Sequence, residues 1–447
     1  MLFRNYEKLI ENGQTPILKK IRKDILEILE NVISSVDPYK STKSKITEKK
    51  ILIDNKEIDT SEYTDIYIVG LGKASVGMAQ AVCDSLEITK GIVITNETQN
   101  KVECKNVHTF VGGHPIPDQN SIIGAEKIIE MLEKTKENDL VLVLISGGGS
   151  ALFAKPRIAL EDLQKTTDLL LKSGANINEI NTIRKHLSYV KGGQIIKYTK
   201  AKIVSLIISD IIGDPLEFIA SGPTYPDSTT FNDAKKIFKK YQLYQKIPES
   251  AKEIIESGIN HKISETPKEN NQIFKNVENF IIANNDIACK AAEKTAKKIG
   301  YETFILTTHL DGEASDIGRY LSKKAINYSS KEKDILFITG GETTVTIKGD
   351  GKGGRNQELI LSSIEEIKDE KIVFTSFATD GIDGNNDAAG AIADNFSFKR
   401  ASEKCLNPKL YLKRNDSYNF FRKMDDLLMT GATGTNVMDI QLIVKYD

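Results

Sequence analysis

Residues 139–153 read DLVLVLISGGGSALF, and this stretch decides the fold. A short apolar run leads into three consecutive glycines and then a helix-like start, the order strand, glycine turn, helix. The same order recurs upstream in residues 65–86, DIYIVGLGKASVGMAQAVCDSL. Between the two lie a further apolar run, GIVITN, and a helical stretch, SIIGAEKIIEMLEKTK; KIVSLIISDIIGDP follows with one more strand and loop. Short apolar runs alternating with helical patterns indicate βαβ units on a largely parallel sheet. Ligands of such sheets sit at the carboxyl ends of the strands, where these glycine loops fall.

Working outward, residues 16–36 place Ile17, Ile21, Ile25, Ile28, Leu29 and Val32 at helical spacing, an amphipathic packing helix with a charged outer face. Residues 224–278 change character, with scattered prolines (Pro226, Pro248, Pro267), many Lys and Glu, and no strong strand pattern. They read as helical connecting material with a boundary near 260–280. Beyond it, NFIIANND, YETFILTTHL, DILFITGGETTVTI and KIVFTSFATDGIDG give a second set of strand and loop signals. The expectation is α/β: two α/β lobes with largely parallel sheets and the active site in the interlobe cleft. A Rossmann-like domain would span 1–265 and a C-terminal α/β domain 280–447.

The 61 basic and 62 acidic residues nearly cancel, which argues against nucleic acid and against a membrane surface as partners. The four cysteines are far apart, with neither metal-ligand spacing nor disulfide-scaffold density, the pattern of a reducing compartment. The N-terminal stretch MLFRNYEKLIENGQ lacks a signal-peptide core, and no apolar run reaches the ~18 residues of a membrane span. The default expectation is a cytoplasmic protein.

The chemistry-bearing segments combine anion cradles with acidic loops. Gly70 to Ser75 fits neither nucleotide motif it suggests. The Walker A loop requires glycine where Tyr67 stands, and the dinucleotide fingerprint requires glycine where Ser75 stands. What remains is Lys73 at a strand-to-helix turn, placed to meet a phosphate or carboxylate. Ser146, Gly147, Gly148, Gly149 and Ser150 form a stronger cradle. The nucleophile-elbow pattern fails there because position 152 is Leu. Ile338–Thr344 and Gly353–Glu358 carry two Gly-Gly pairs, the second opening a helix with Arg355 on its first turn, which suits an anionic ligand. Arg184, Lys185 and His186 cluster with Lys191 just beyond, and His114 lies in a proline-stiffened turn. A solvated helix face and a structural loop histidine are the plainer readings of these two groups. Asp210, Asp214, Asp311, Glu313, Asp380, Asp383 and Asp387 follow strand-like runs. Their spacing misses the EF-hand pattern and suits Mg²⁺ held jointly with phosphates.

Taken in order, GLGKAS, GGHPIPD, LISGGGSALF, NTIRKHLSYVKGG, SDIIGDPLEFIASGPT, LDGEA, GGETTV, GKGGRNQEL, ATDGIDGNNDAAG and TGATGTNVMD closely resemble the glycerate 2-kinase family. The family's C-terminal part is the MOFRL domain, and the matches cover residues 70 to 439. The resemblance implies transfer of the ATP γ-phosphate to D-glycerate, giving 2-phosphoglycerate, with Mg²⁺. It carries over Lys73 and Arg355 as transition-state cations and Asp210 as a substrate-hydroxyl or metal contact. Ser146 to Ser150 would hold the carboxylate or the transferring phosphate, and Arg184 would clamp the carboxylate. Gly340, Gly341, Glu342, Thr343 and Asn284 are the nucleotide-side candidates, and Asp380 and Asp383 the metal ligands. Two departures stand out: alanine at position 432 and Asn385-Asn386 occupy places where the family carries proline or Pro-Thr. The expected partners are glycerate and ATP, with the chain as monomer or homodimer. The alternatives are a hydroxypyruvate reductase, which requires the nicotinamide fingerprint that is broken here, and a non-catalytic phosphometabolite-binding protein.

Overall fold

The computed structural model describes residues 1–53, 55–328 and 334–447. The chain divides into two compact units. One holds Pro38–Ser209 and Asp214–Ile282; the other holds Met1–Asp37, Asp210–Gly213 and Ala283–Asp447.

In the first unit, the antiparallel pair β1 (Lys50–Ile53) and β2 (Lys56–Asp59) precedes the main sheet. That sheet comprises β3 (Ile66–Leu71), β4 (Lys90–Thr95), β5 (Val107–Val111), β6 (Leu140–Ile145), β7 (Lys202–Ile208) and β8 (Val277–Ala283), in the order β5-β4-β3-β6-β7-β8. The pairings β5–β4, β4–β3, β3–β6 and β6–β7 are all parallel. Every residue of β6 is buried, which explains a run without polar alternation: a strand covered by helices on both faces has no wet side. The helices Ser75–Cys83 and Gln119–Leu132 follow β3 and β5, the second started by a capping box in which Asp118 and Ser121 satisfy each other's backbone.

Residues 224–278 do more than connect. Phe231–Lys240 and Glu249–Ile259 pack Phe231, Ala234, Phe238, Ala251 and Ile255 against Leu170, Ile180 and Ile183 of the helices Leu160–Lys172 and Ile177–His186. Burying each such large side chain is worth about 1.5–3 kcal/mol, enough to make this a helical core in its own right. The segment ends in β8, so NFIIA, read as the opening of the second domain, is an edge strand of the first sheet.

The second unit contains β9 (Glu302–Leu310), β10 (Ile335–Gly341), β11 (Ile372–Ala378), β12 (Gly390–Asp394), β13 (Leu427–Leu428) and β14 (Asp439–Lys445), in the order β13-β12-β11-β14-β10-β9. Only β10–β9 is parallel here; β14 inserts antiparallel between β10 and β11, and β11–β12 and β12–β13 are antiparallel too. The expectation of largely parallel sheets therefore holds for the first sheet, while this one is mixed.

The helix Pro16–Ser35 starts at a Thr15 cap with proline in its first turn, and groups with this second unit rather than with the chain that follows it. Its inner face carries a fully buried Arg22, which donates to Asp394 at 2.6 Å and Asp426 at 2.8 Å; Arg400 shares Asp426 at 2.6 Å. The helix is thus tied to strands nearly four hundred residues later by a closed charge network. No helix among the described residues is long and apolar enough to cross a membrane.

Candidate active site

The glycine loops after β3 and β6 are laced together in the first unit. Lys73 N donates to Gly147 O at 2.9 Å, and Ala74 N donates to Ser146 Oγ at 3.0 Å. A Cβ on Gly72, whose φ is +122°, would stand 2.4 Å from Ser146 O, so only glycine allows the loops this approach. Ser146 is accordingly a buried tie between loops. Gly148 adopts φ +84°, and a Cβ there would lie 3.1 Å from both Lys73 Cγ and His114 Cδ2. The glycine therefore sits beneath two basic side chains. Lys73 is exposed. Burial, with Lys73 and Arg184 adding, holds the His114 imidazole below its ordinary range, which places Arg184 in the same field.

Arg184 is half-buried, and burial lowers the pKa of its guanidinium. It makes no ion pair or hydrogen bond among the described residues. Its neighbours on the same helix differ sharply. Lys185 is buried between Glu217 and Asp227, 2.6 Å from each, and His186 bridges Thr182 O and Glu265 at 2.8 and 2.9 Å. Of the three cationic residues in the Arg184–His186 cluster, one has no ion-pair partner among the described residues and two are structural. Ser150 Oγ lies 2.9 Å from Ser221 Oγ, which donates to Asn181 Oδ1 at 3.1 Å. Ala220 and Ser221 both take left-handed backbone, at φ +50° and +61°, a cost concentrated beside this loop. His114 and Lys191, which the sequence placed in a loop and beyond the basic cluster, stand beside this loop, and Ser221 joins them as a residue the sequence did not single out. The double-glycine and serine-glycine punctuation around 191–193 and 221–222 was the available signal.

The second unit contributes acids around one arginine. Arg355 opens the helix Arg355–Ile367. Its Nε and one terminal nitrogen donate to the two oxygens of buried Asp439, at 2.6 and 2.8 Å, and the other reaches Glu342 at 2.8 Å. Burial opposes the charge, but Asp439 and Glu342 hold the guanidinium above its ordinary range. Arg355 is a clamped, neutralised cation rather than a bare one. Burial raises the pKa of Glu342; Arg355 opposes this, while Asp439, Asp210 and Asp380 push further up, so Glu342 stands in the field of three other carboxylates. Asp210 stands just past β7 and Asp380 just past β11. Asp380 accepts from Ile382 N at 3.0 Å, an Asx turn that fixes the carboxylate in its loop.

Asp383, expected as a metal ligand, is fully buried. Its two oxygens accept from Asn356 N at 3.0 Å and Gln357 N at 2.9 Å. Both are committed to the first turn of the Arg355 helix, so its place is that of a cap. Gly340 and Gly341, expected as freed amides, lie inside the β10 ladder opposite Ile440 and Asp439. A Cβ on Gly340 would collide with Asn285 Oδ1 at 1.8 Å, so the glycine is required for packing. Asn284 caps the helix Asn285–Ile299 by accepting from Ile287 N at 2.9 Å. Thr343, by contrast, has a buried hydroxyl with no hydrogen-bond partner among the described residues. It lines a cavity of about 570 Å³ together with Glu342, Thr344, Gly353, Gly354 and Arg355. The hydroxyls of Thr433 and Thr435 are spent on backbone carbonyls of Thr379 and Val36, which accounts for the polar loop near the C-terminus as a tie.

Comparison with known proteins is consistent over the whole chain. Residues 24–256 match the family described as a domain of unknown function, DUF4147, and residues 335–439 match the MOFRL family. A Pyrococcus horikoshii protein named Glycerate 2-kinase is 44% identical over 96% of this chain and 98% of its own. A Thermotoga maritima protein named D-glycerate 2-kinase is 40% identical over 94% of this chain and 98% of its own. A crystal structure of glycerate kinase from Thermotoga maritima superimposes with a TM-score of 0.86 at 39% identity, covering 96% of this chain and 100% of that one. The chain belongs to the glycerate 2-kinase family.

Proposed function

We propose that this protein transfers the γ-phosphate of ATP to the C2 hydroxyl of D-glycerate, giving 2-phosphoglycerate. The observation that carries the reading is the near-full-length likeness to a protein named Glycerate 2-kinase, together with Lys73, Asp210, Glu342 and Asp380 standing in loops just past strand ends. The acceptor's carboxylate is taken by Arg184, whose guanidinium lacks a protein partner among the described residues. Lys73, above Gly148, neutralises charge on the transferring phosphoryl. The C2 oxygen forms its bond to Pγ as the bond from Pγ to the bridging oxygen breaks, ADP leaves, and the hydroxyl proton passes to a carboxylate, for which Asp210 is the candidate. Little covalent work is asked of the protein, so positioning and charge dominate.

On the second unit, Thr343 offers the nucleotide a buried hydroxyl otherwise unpaired, in a cavity that Glu342 and Arg355 also line. Arg355 fixes Glu342 and Asp439 in place and keeps its remaining N–H donors for phosphate oxygens. Glu342, with Asp380 and Asp210 in its field, offers the hard carboxylate oxygens that suit Mg²⁺. When bound, the ion would supply positive charge that offsets the charge of the nucleotide's phosphates. Among the described residues no three His, Cys, Asp or Glu side chains are arranged to hold an ion alone, so Mg²⁺ would enter with the nucleotide. A coupled assay with D-glycerate, ATP and Mg²⁺, run beside NADH oxidation on hydroxypyruvate, tests the reading. ADP release dependent on glycerate supports it; activity only in the NADH arm overturns it.

A further inference from the structure

Two lysines of the first unit are fully buried, and they are not equivalent. Lys185 has Glu217 and Asp227 at ion-pair distance. Lys191, 4% exposed, has no carboxylate; its Nζ donates to the carbonyls of Ser150 and Phe153, 2.7 Å from each. A buried ammonium without a counter-charge is costly, and structures keep one where something else supplies the anion. The side chain opens on a pocket lined by Ser150, Arg184 and Ser188, and Arg184 is the other cation there without a partner. Both unpaired charges thus line one small pocket, beside the guanidinium to which the acceptor's carboxylate is assigned above.

Among the described residues, the surroundings show no counter-ion for Lys191. The helix Ile177–His186 presents Arg184 to Lys191. The stretch after the glycine loop presents the two carbonyls and Lys155, which is paired with Glu126. The left-handed turn offers Ser221 O to Gly192 N, and nearby Asp227 is spent on Lys185 and the hydroxyls of Thr229 and Thr266. His114 stands near Arg184 from the loop after β5.

Resting on the reading of the first unit as the glycerate subsite, we propose that Lys191 is the buried counter-charge of that subsite. Entry of a small 2-hydroxycarboxylate beside Arg184 and Ser150 carries one proton from solvent onto its amine. The residue thereby selects a compact anionic acceptor. Burial, with Arg184 adding, pulls the free amine down to about 7, within reach of ordinary pH. The sign follows directly: the neutral amine, dominant above that value, holds an anion less well, so the KM for glycerate climbs as pH rises.

The test is steady-state kinetics from about pH 6 to about pH 9 on the full chain, with KM for glycerate and for ATP measured separately, and proton uptake on glycerate binding followed by calorimetry in two buffers of different ionisation enthalpy. The wild type is expected to show KM for glycerate rising toward tenfold per pH unit above the break, KM for ATP without that break, and net proton uptake on binding. Lys191→Met should lose both the break and the uptake; Lys191→Arg, which stays charged throughout, should lose the break and keep tighter glycerate binding at high pH. His114→Gln, removing the other nearby titrating group, should keep the break. Glycerate that binds the wild type without proton uptake, or a break that survives in Lys191→Met or Lys191→Arg, overturns the proposal. Absence of any glycerate turnover or binding in the wild type would instead overturn the functional reading on which it rests.

Discussion

Replacing Gly148 with alanine separates the site from the scaffold that carries it, because the same first unit offers a matched control. Gly148 (φ +84°) and Gly174 (φ +77°) have nearly the same left-handed backbone. An L-residue in that region costs about 1–2 kcal/mol, so both substitutions should destabilise alike. Their surroundings differ: at Gly174 an added Cβ meets nothing within 4 Å, while at Gly148 it meets Lys73 Cγ and His114 Cδ2 at 3.1 Å and His114 Nε2 at 3.3 Å. Those side chains must give way by a few tenths of an ångström, and they are the cation assigned to the transferring phosphoryl and the imidazole beside it. Misplacement of positioned groups by ~1 Å costs on the order of 10²-fold, so a shift of this size should cost about tenfold in kcat/KM. Thermal melts should show both variants lowered by roughly 2–4 °C per kcal/mol of strain. The coupled glycerate assay should show Gly174→Ala near wild type and Gly148→Ala reduced. Equal activity in the two variants, or equal loss, would refute the placement of Lys73 and His114 over the glycine loop.

Lys73→Ala should leave the melting temperature unchanged, since the side chain is exposed, and lower turnover by on the order of 10²–10³ in the same assay. Arg355→Ala should lower turnover and also destabilise the protein, by about 3–5 kcal/mol in chemical denaturation, because it strands buried Asp439 without its partner. Burial raises the Asp383 carboxyl to about 6 against the pull of two helix amides. The folded state therefore binds the proton more tightly than the unfolded chain, and stability should fall as pH rises from about 4 to about 6. Asp383→Asn should flatten that limb in denaturation curves taken across the window. Chelator should abolish activity reversibly, and Asp380→Asn should raise the Mg²⁺ concentration for half-maximal rate with the KM for glycerate little changed.

What could be read from the sequence was local. The β3 and β6 turns announce themselves because each strand, its glycines and the following helix are contiguous, and Lys73 and Ser146 to Ser150 fall where that pattern places them. What could not be read was pairing over distance. β14 inserts antiparallel beside β10 from a hundred residues away, and nothing in its apolar run states its direction. The helix Pro16–Ser35 looks like any amphipathic helix, and only Arg22 on its inner face, paired with Asp394 and Asp426, says which unit it joins. Asp383 resembled a metal ligand because its partners, the amides of Asn356 and Gln357, lie well upstream of it. Gly340 resembled an anion turn because the collision it avoids is with Asn285, far off in sequence. Lys185 and Lys191 are the same residue type six positions apart, and only the structure shows one with two carboxylates and the other with none.

The central claim is that the ATP γ-phosphate is transferred to the C2 hydroxyl of D-glycerate. Phosphorus NMR of the wild-type protein incubated with D-glycerate, ATP and Mg²⁺ tests it directly. The expected result is the 2-phosphoglycerate resonance growing in step with ADP; a 3-phosphoglycerate resonance would contradict the regiochemistry, and no new phosphoester would contradict the function.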